Sequence, residues 1–265
     1  MSQAKVSVGI HGALGRMGQR LIQLIAEDSA LGLAAALERD GHPRLGEDAG
    51  TASGIAPLGV PLSATGPAGK TVDVIVDFSV PQAALAIAAW CRAHSVPLVV
   101  GTTGFEAAQR SELEAAAGEI PILISPNMSR AVNLLMKLVG EAARVLGPAA
   151  DIEIVERHHR TKKDAPSGTA LRLGEVAGRG LAASRLIAGQ PGQCGVRQPG
   201  EIGIHALRVA DCPGEHLVVF SLMGETLELS HRALTRDGFA RGALDAAKFL
   251  AGKPPGLYTI EHVLA

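Results

Sequence analysis

The segment from Glu156 to Thr169 concentrates residue types that can do acid–base chemistry on an anion. Its order is Glu-Arg-His-His-Arg-Thr-Lys-Lys-Asp-Ala-Pro-Ser-Gly-Thr, with two histidines, two arginines and two lysines. Histidine exchanges protons near neutral pH. Because crowded positive charges repel one another, an anion is expected to balance them. The segment predicts an anionic-substrate site, with a phosphate site or a subunit contact as the alternative.

The strand before this segment suggests how its histidines differ in role. Polar and apolar residues alternate over Asp151–Glu156, which predicts a strand that ends close to His158 and His159. Neighbouring residues of an extended chain point to opposite sides, so we expect the two histidines to act differently. Lys162 and Lys163 follow and add positive charge.

The end of the segment predicts the start of a helix over Ser167–Leu181. Pro166 suits the first helical turn, and Ser167 or Asp164 suits the cap. Gly168 and Thr169 would then offer free backbone N–H groups to a carboxylate.

A glycine-rich turn near the N-terminus predicts a nucleotide site. Gly12–Gly18 has the spacing G-x-x-G-x-x-G between a strand, Val6–Ile10, and a helix, Arg16–Glu27. Such glycines let the backbone approach a pyrophosphate at the helix start, although a tight turn alone has the same signature. Glu38 ends the second strand, where a carboxylate accepts hydrogen bonds from ribose hydroxyls, and Arg39 can pair with a 2′-phosphate. With both present, we expect NADH and NADPH each to work.

Two further turns follow predicted strands of the same sheet. They are Phe78-Ser79-Val80-Pro81 and Gly101-Thr102-Thr103-Gly104. Open α/β sheets bind ligands at the carboxyl ends of their strands, so these turns are expected to hold the nicotinamide carboxamide. Ordinary turn chemistry is the alternative.

The elements that would position these residues change character at mid-chain. Strands and helices alternate in the first half: strands Leu33–Leu37, Val72–Phe78, Val96–Val100 and Ile120–Ser125, helices Pro81–His94 and Phe105–Ala117, and a loop, Asp40–Gly69, with a short strand near Val60. This alternation predicts a Rossmann-type parallel sheet with helices on both faces.

The second half predicts an α+β domain with a mixed or antiparallel sheet. The helix Arg130–Leu146 is followed by strands at Ile202–Val209, His216–Leu222 and Thr226–His231, with a tight turn at Gly224-Glu225 and a last helix, Gly238–Ala251. We expect a dinucleotide-binding domain over residues 1–127, completed by 238–265, and a substrate-binding and oligomerisation domain over 128–237. The two domains would close on each other for catalysis.

Composition excludes several other classes. The 265 residues are 47% hydrophobic and 3% aromatic, with a net charge of −1. This charge argues against nucleic acid as a partner. The three cysteines, Cys91, Cys194 and Cys212, suggest a reducing compartment. The nine histidines contain no metal-binding motif, so no metal is expected. Without a signal-peptide pattern or a membrane-spanning apolar run, we expect a cytoplasmic protein and no membrane partner.

Taken together, the motifs resemble those of the 4-hydroxy-tetrahydrodipicolinate reductase (dihydrodipicolinate reductase) family of the diaminopimelate–lysine pathway. The family's signature is similar to E-x-H-H-x-x-K-x-D-A-P-S-G-T-A, and Glu156–Ala170 matches it throughout. Supporting matches run along nearly the whole chain, at Gly12–Gly18, Glu38-Arg39, Asp77–Pro81, Gly101–Gly104, Asn127–Ser129, Ile202-Gly203, Arg208, Gly214–His216 and Ser230-His231.

The resemblance implies an NADH- or NADPH-dependent reduction of a cyclic dicarboxylate and a homotetramer. It implies His158 as proton donor and acceptor and Lys162 as proton donor. Substrate binding is expected of His159, Arg160, Lys163, Gly168 and Thr169. Cofactor contacts are expected of Gly12, Ala13, Leu14, Gly15, Arg16, Met17, Glu38, Arg39, Phe78, Gly101, Thr102, Thr103, Ser125, Pro126, Asn127 and Met128.

Two other classes of protein compete with this interpretation. One is another two-domain nicotinamide dehydrogenase, for example one acting on a semialdehyde; a thioester-forming enzyme of that kind needs a cysteine at a helix start, which is not apparent. The other is a nucleotide-sensing protein without catalysis, which would have little use for His158 and Lys162.

Overall fold

The chain divides into two compact units. The computed structural model describes residues 5–67, 71–181 and 184–264. Unit 1 comprises Met1–Arg130 and Asp237–Ala265, and unit 2 comprises Ala131–Arg236.

Strands and helices alternate through most of unit 1, whereas strands follow one another in the second half of unit 2. In chain order the elements are β1 (Val6–His11), α1 (Arg16–Glu27), β2 (Leu31–Leu37), α2 (Ala49–Ala52), β3 (Leu62–Ser63), β4 (Val74–Asp77), α3 (Pro81–His94), β5 (Leu98–Val100), α4 (Ala107–Ala115), β6 (Pro121–Ile124), α5 (Arg130–Leu146), β7 (Asp151–His158), α6 (Gly168–Gly178), β8 (Arg185–Ala188), β9 (Glu201–Arg208), β10 (Glu215–Leu222), β11 (Glu225–Arg232), α7 (Asp237–Leu250), β12 (Gly256–Tyr258) and α8 (Ile260–Leu264).

Unit 1 is built on a seven-stranded sheet in the order β12-β6-β5-β4-β1-β2-β3. All neighbouring strands are parallel. The chain runs outward from β1 to β2 and β3, then crosses back to β4 on the other side. This reversal makes β1 and β4 the switch point, where doubly wound sheets open a crevice at the carboxyl ends of their strands.

Helices cover both faces of this sheet because each presents an apolar stripe to it. On one face α1 contributes Leu21, Ile22 and Ile25, next to α7 with Ala243 and Leu250. On the other face, a second core includes residues of α3 and α4. Burying both faces accounts for strands such as β4 and β6, whose residues are buried throughout.

Unit 2 is built on a five-stranded mixed sheet in the order β11-β10-β7-β9-β8. β7, β9 and β8 are parallel to one another, while β10 is antiparallel to both β7 and β11. α6 packs on one face, which α5 also helps to bury. The predicted fold class, a Rossmann-type sheet plus an α+β domain with a mixed sheet, is confirmed.

Local predictions had mixed outcomes. The region Asp40–Gly69 is mostly loop, as predicted, and its short strand near Val60 is confirmed at Leu62–Ser63, whereas the short helix α2 was not predicted; residues 68–70 lie outside the described chain. The turn between β10 and β11 is Met223-Gly224, because Glu225 already pairs with Leu222. β8, β12 and α8 were not predicted at all.

Candidate active site

The buried carboxylate of Glu156 organises one end of the sheet of unit 2. Ile152, Ile154 and Glu156 alternate on the buried face of β7, and Glu156 is fully buried. Burial alone would raise the pKa of Glu156, but hydrogen bonds from Arg208 and His158 outweigh it and hold the pKa below its ordinary value. Glu156 therefore carries a negative charge in a buried position.

His158, the last residue of β7, is joined to this carboxylate. Its Nδ1 lies 2.6 Å from Glu156 Oε2, and its side chain is 12% exposed. Burial lowers the pKa of His158 from its ordinary value, and the positive charges of Lys162 and Arg208 lower it further, while Glu156 opposes these effects. The result is a largely buried imidazole whose protonated form is disfavoured by burial and neighbouring positive charge and supported by Glu156.

The loop after β7 pairs its charges internally. Lys162 Nζ lies 2.8 Å from both carboxylate oxygens of Asp164, which lowers the pKa of Asp164. His159 Nδ1 lies 2.7 Å from Thr161 Oγ1, so the two neighbouring histidines have separate partners. Asp164 and Glu156 thus compensate part of the positive charge that was expected to need an external anion.

The remaining basic residues of the segment do not share one surface. Arg157 extends from the opposite face of β7, where it pairs with Glu215. Arg160 and Lys163 are exposed in the loop. The prediction of six basic groups crowded together at one helix start was therefore wrong for Arg157.

α6 begins at Gly168, next to the Glu156 carboxylate. Ser167 caps the helix through a 3.2 Å hydrogen bond from the Ala170 N–H, and the Ser167 N–H donates to Glu156 Oε1 at 3.0 Å. Pro166 precedes the cap residue, so the prediction that Pro166 lies in the first helical turn was wrong. The alternative prediction, that Asp164 caps the helix, was also wrong. Gly168 is exposed, with no atom within 4 Å of where a Cβ would lie, and Thr169 follows as the second helical residue. There is open space at the helix start.

Two histidines that occur in the supporting family matches, but were not among the expected site residues, continue the cluster. His216 in β10 lies opposite Glu156, and His231 in β11 lies opposite His216. Burial lowers the pKa of His216 to about 3, and its Nε2 lies 3.3 Å from Ser167 Oγ. Within the described chain, neither His216 Nδ1 nor His231 Nδ1 has a hydrogen-bond partner. The alternation of His216 with Val218 and Phe220 was the available sequence signal.

In unit 1, glycines shape the turn between β1 and α1. Gly12 has a φ of +79°, and a Cβ on it would lie 2.7 Å from the Phe78 carbonyl oxygen. A Cβ on Gly18 would overlap the Gly12 carbonyl oxygen and the backbone of Ala13. The turn therefore passes very close to the end of β4, and α1 begins at Arg16 without a side-chain cap.

Glu38 joins this turn to the end of β2. Its carboxylate accepts hydrogen bonds from the Leu14 N–H at 3.1 Å and the Arg39 N–H at 3.0 Å. Arg16 and Arg39 are exposed. The residues expected to bind the pyrophosphate and the ribose are thus connected by the hydrogen bond from the Leu14 N–H to the Glu38 carboxylate.

A second buried carboxylate, which was not among the expected site residues, joins three strand ends. Asp77, at the end of β4, is fully buried. It accepts hydrogen bonds from Ser79 Oγ and Thr102 Oγ1, each at 2.6 Å, and lies 2.7 Å from His11 Nδ1. The ends of β1, β4 and β5 are therefore held together at the switch point.

The other predicted cofactor residues surround the same strand ends. Gly101 packs so closely on the Phe78 ring that a Cβ would overlap it. A recess of about 190 Å³ is lined by Thr102, Thr103, Gly104, Phe105, Arg110, Ile124 and Pro126. The Met128 side chain is buried in the core, Ala13 is fully buried, and Leu14 and Met17 pack partly against the same core. Ser125 Oγ donates to the Asn127 carbonyl oxygen.

The predicted residues thus form two groups, one in each unit. The cofactor group lies in unit 1, and the group around His158 and Lys162 lies in unit 2. Among the described residues, no cluster of three or more His, Cys, Asp or Glu side chains is arranged to hold a metal ion. No helix in the described ranges combines the length and the hydropathy needed to cross a membrane.

Comparison with known proteins covers both units. Residues 6–128 match the family model described as dihydrodipicolinate reductase, N-terminus, and residues 131–264 match the one described as dihydrodipicolinate reductase, C-terminus. The 4-hydroxy-tetrahydrodipicolinate reductase of Syntrophotalea carbinolica is 45% identical over 263 residues, covering 98% of each chain. That of Anaeromyxobacter sp. strain Fw109-5 is 48% identical, covering 98% of this chain and 97% of its own.

Solved structures show the same fold. A dipicolinate-bound dihydrodipicolinate reductase from Paenisporosarcina sp. TG-14 aligns with a TM-score of 0.73 at 23% identity, covering 98% of this chain and all of its own. GenD2 from gentamicin A biosynthesis, in complex with NAD, aligns with a TM-score of 0.61 at 16% identity, covering 100% of this chain and 91% of its own. With both family models matched in order along the chain, the resemblance is confirmed: this chain belongs to the dihydrodipicolinate reductase family.

Proposed function

We propose that the chain uses NADH or NADPH to reduce 4-hydroxy-tetrahydrodipicolinate (dihydrodipicolinate) to tetrahydrodipicolinate, in the diaminopimelate–lysine pathway. Membership of a reductase family gives the reaction class. The observation that carries the assignment to this site is the pairing of His158 with the buried Glu156 beside the start of α6. Such a pair places a proton donor next to backbone N–H groups that suit a carboxylate.

The residues of unit 1 fit a dinucleotide. Gly12 lets the turn after β1 pass close to the end of β4, α1 begins without a side-chain cap, and the Glu38 carboxylate accepts a hydrogen bond from the Leu14 N–H of that turn. We infer that Gly12–Met17 hold the pyrophosphate, that Glu38 and Arg39 hold the adenosine ribose, and that Phe78, Gly101–Thr103 and Ser125–Met128 surround the nicotinamide. When bound, the reduced cofactor supplies the hydride.

The residues of unit 2 would bind and protonate the substrate. The substrate has two carboxylates, and His159, Arg160 and Lys163 offer the positive potential that attracts them. Gly168 and Thr169 would receive one carboxylate at the open start of α6. His158 and Lys162 would supply the proton that accompanies the hydride.

Both cofactors are expected to work because two neighbouring residues, Glu38 and Arg39, favour different cofactors. The Glu38 carboxylate disfavours a 2′-phosphate, and the exposed Arg39 guanidinium favours it. Measured KM values for NADH and NADPH test this directly. A preference of about a thousandfold or more, worth about 4 kcal/mol, would contradict the dual use.

We also propose a cytoplasmic homotetramer, with self-association through the open face of the sheet of unit 2. That face carries Val155, Leu207 and Leu217 around a cavity of about 490 Å³, and Leu207 is 45% exposed. Exposed apolar side chains on a sheet favour association. The number of subunits rests on the family resemblance, and sedimentation equilibrium of the purified protein tests it; a monomer would contradict the proposal.

Turnover of the named substrate tests the proposed reaction. The substrate is made in situ from pyruvate and aspartate semialdehyde by the preceding synthase, and the loss of reduced nicotinamide is followed. We expect loss that depends on both the synthase and this chain. No loss with either NADH or NADPH would overturn the assignment.

A further inference from the structure

We propose that Glu156 and Arg208 are positioning residues that fix the ring of His158 and hold it in register with the Lys162 loop and the start of α6. The proposal rests on the proposed function, because it assigns to His158 the atom that exchanges the proton. Neither residue was among the expected site residues.

The contacts of one ion pair connect three parts of the site. Arg208 Nη1 and Nη2 each donate to an oxygen of Glu156 at 2.9 Å, in the two-pronged geometry that suits guanidinium and carboxylate. Arg208 Nη2 also donates to the Asp164 carbonyl oxygen at 2.6 Å, which anchors the loop that carries Lys162. The other contacts of Glu156 are with His158 Nδ1 at 2.6 Å and the Ser167 N–H at 3.0 Å.

This arrangement selects one tautomer of His158. An ionised carboxylate only accepts hydrogen bonds, so the neutral ring must carry its proton on Nδ1. Nε2 is then the atom that takes up and releases a proton. A Cβ on Gly214 would lie 3.1 Å from Nε2, so the glycine at this position keeps space beside that nitrogen.

The charges around His158 explain why a carboxylate is needed there. The titratable groups that face it are Glu156 from β7, Lys162 from the following loop, Arg208 from β9 and His216 from β10. Burial, Lys162 and Arg208 all disfavour the protonated ring, whereas Glu156 favours it. Glu156 thus both orients the ring and supports its protonated form.

Glu156→Gln removes the charge and nearly preserves the shape. If the amide nitrogen replaces Oε2, it faces His158 Nδ1 and Arg208 Nη1; if it replaces Oε1, it faces the Ser167 N–H and Arg208 Nη2. Each orientation sets donors against donors. The ring therefore either changes tautomer or loses its alignment with α6.

Kinetics of matched variants provide the first test. We expect Glu156→Gln to lower kcat by about 10²-fold or more, the usual contribution of a positioned proton donor, with the cofactor KM changed less than about threefold. Its kcat should also decline with rising pH at a lower pH than in the parent, because loss of the carboxylate lowers the pKa of His158. Arg208→Lys keeps the charge but not the two-pronged contact. Its kcat and pH profile should therefore lie between those of the parent and those of Glu156→Gln.

Glu153→Gln is the matched control. Glu153 lies on the same strand as Glu156 and also contacts an arginine and a histidine, Arg197 and His205. It is expected to leave the pH profile and kcat near those of the parent. If Glu156→Gln and Arg208→Lys fold yet both keep the parent kcat and pH profile, the proposal is overturned.

The tautomer of His158 is a second test that does not require a variant enzyme to be active. Imidazole ¹⁵N shifts of the full-length parent, assigned with His158→Gln, should show the neutral ring protonated on Nδ1. Protonation on Nε2 would overturn the proposal even if Glu156→Gln fails to fold. Because this readout uses no substrate, its failure is distinguishable from failure of the proposed reaction, which the turnover assay reports.

Discussion

Replacing the hydroxyl of Thr102 should destabilise unit 1 far more than the same change at its neighbour. Thr102 is buried, and its Oγ1 donates to Asp77 Oδ2 at 2.6 Å while accepting from the Ser79 N–H at 2.9 Å. Thr102→Val leaves the buried Asp77 Oδ2 and the partly buried Ser79 N–H without these partners. At about 1–3 kcal/mol for an unsatisfied buried group, and less for the partly exposed N–H, the free energy of unfolding should fall by about 1–4 kcal/mol.

Thr103→Val supplies the control, because Thr103 is exposed. Its effect on the free energy of unfolding should stay within about 0.5 kcal/mol, as for most surface substitutions. Urea denaturation followed by the fluorescence of Trp90, the single tryptophan, reports on unit 1 because Trp90 lies on α3. If the two variants unfold at the same urea concentration, the Asp77 network does not hold these strand ends as described.

Three further predictions concern the two sites. Gly18→Ala should weaken cofactor binding at least about tenfold and lower the free energy of unfolding by about 1–3 kcal/mol, because the new Cβ would overlap the Gly12 carbonyl oxygen. Gly32→Ala is the control in a cofactor titration, because no atom lies within 4 Å of a Cβ at that position. Burial lowers the pKa of His216 to about 3, so as the pH falls His216 takes up a proton in the unfolded chain before it does so in the folded one. The free energy of unfolding should therefore be highest above the ordinary histidine pKa and decline below it by up to about 1.4 kcal/mol per pH unit. His216→Gln should flatten this acid dependence in urea denaturation, and an unchanged slope would contradict it. Lys162→Ala should lower kcat far more than it raises the cofactor KM, and the reverse in steady-state kinetics would assign Lys162 to cofactor binding.

Much of the fold could be predicted because its signals are local. The glycine turn between β1 and α1 requires a conformation and a close approach that glycine alone provides easily. Helix α5 has the predicted bounds, and Pro81 begins α3 as expected. Short elements such as β12, with three residues, carry too few positions for a periodic signal and depend on pairing with β6.

The buried carboxylates depend on partners distant in the sequence. Arg208 lies 52 positions after Glu156, and Asp77 lies 66 positions after His11. The alternation of β7 placed Glu156 in line with Ile152 and Ile154, which indicates a buried charge that needs partners, but the register of the sheet alone identifies them. The types of residue in the site could therefore be predicted, whereas the contacts that orient them could not.

The most direct test of the proposed chemistry is the kcat of His158→Gln with substrate made in situ. We expect kcat to fall by about 10²–10⁴-fold, the range for loss of a proton donor, while the cofactor KM stays within about threefold of the parent. A variant that keeps the parent kcat, or that changes the cofactor KM alone, would contradict the assignment of proton transfer to His158.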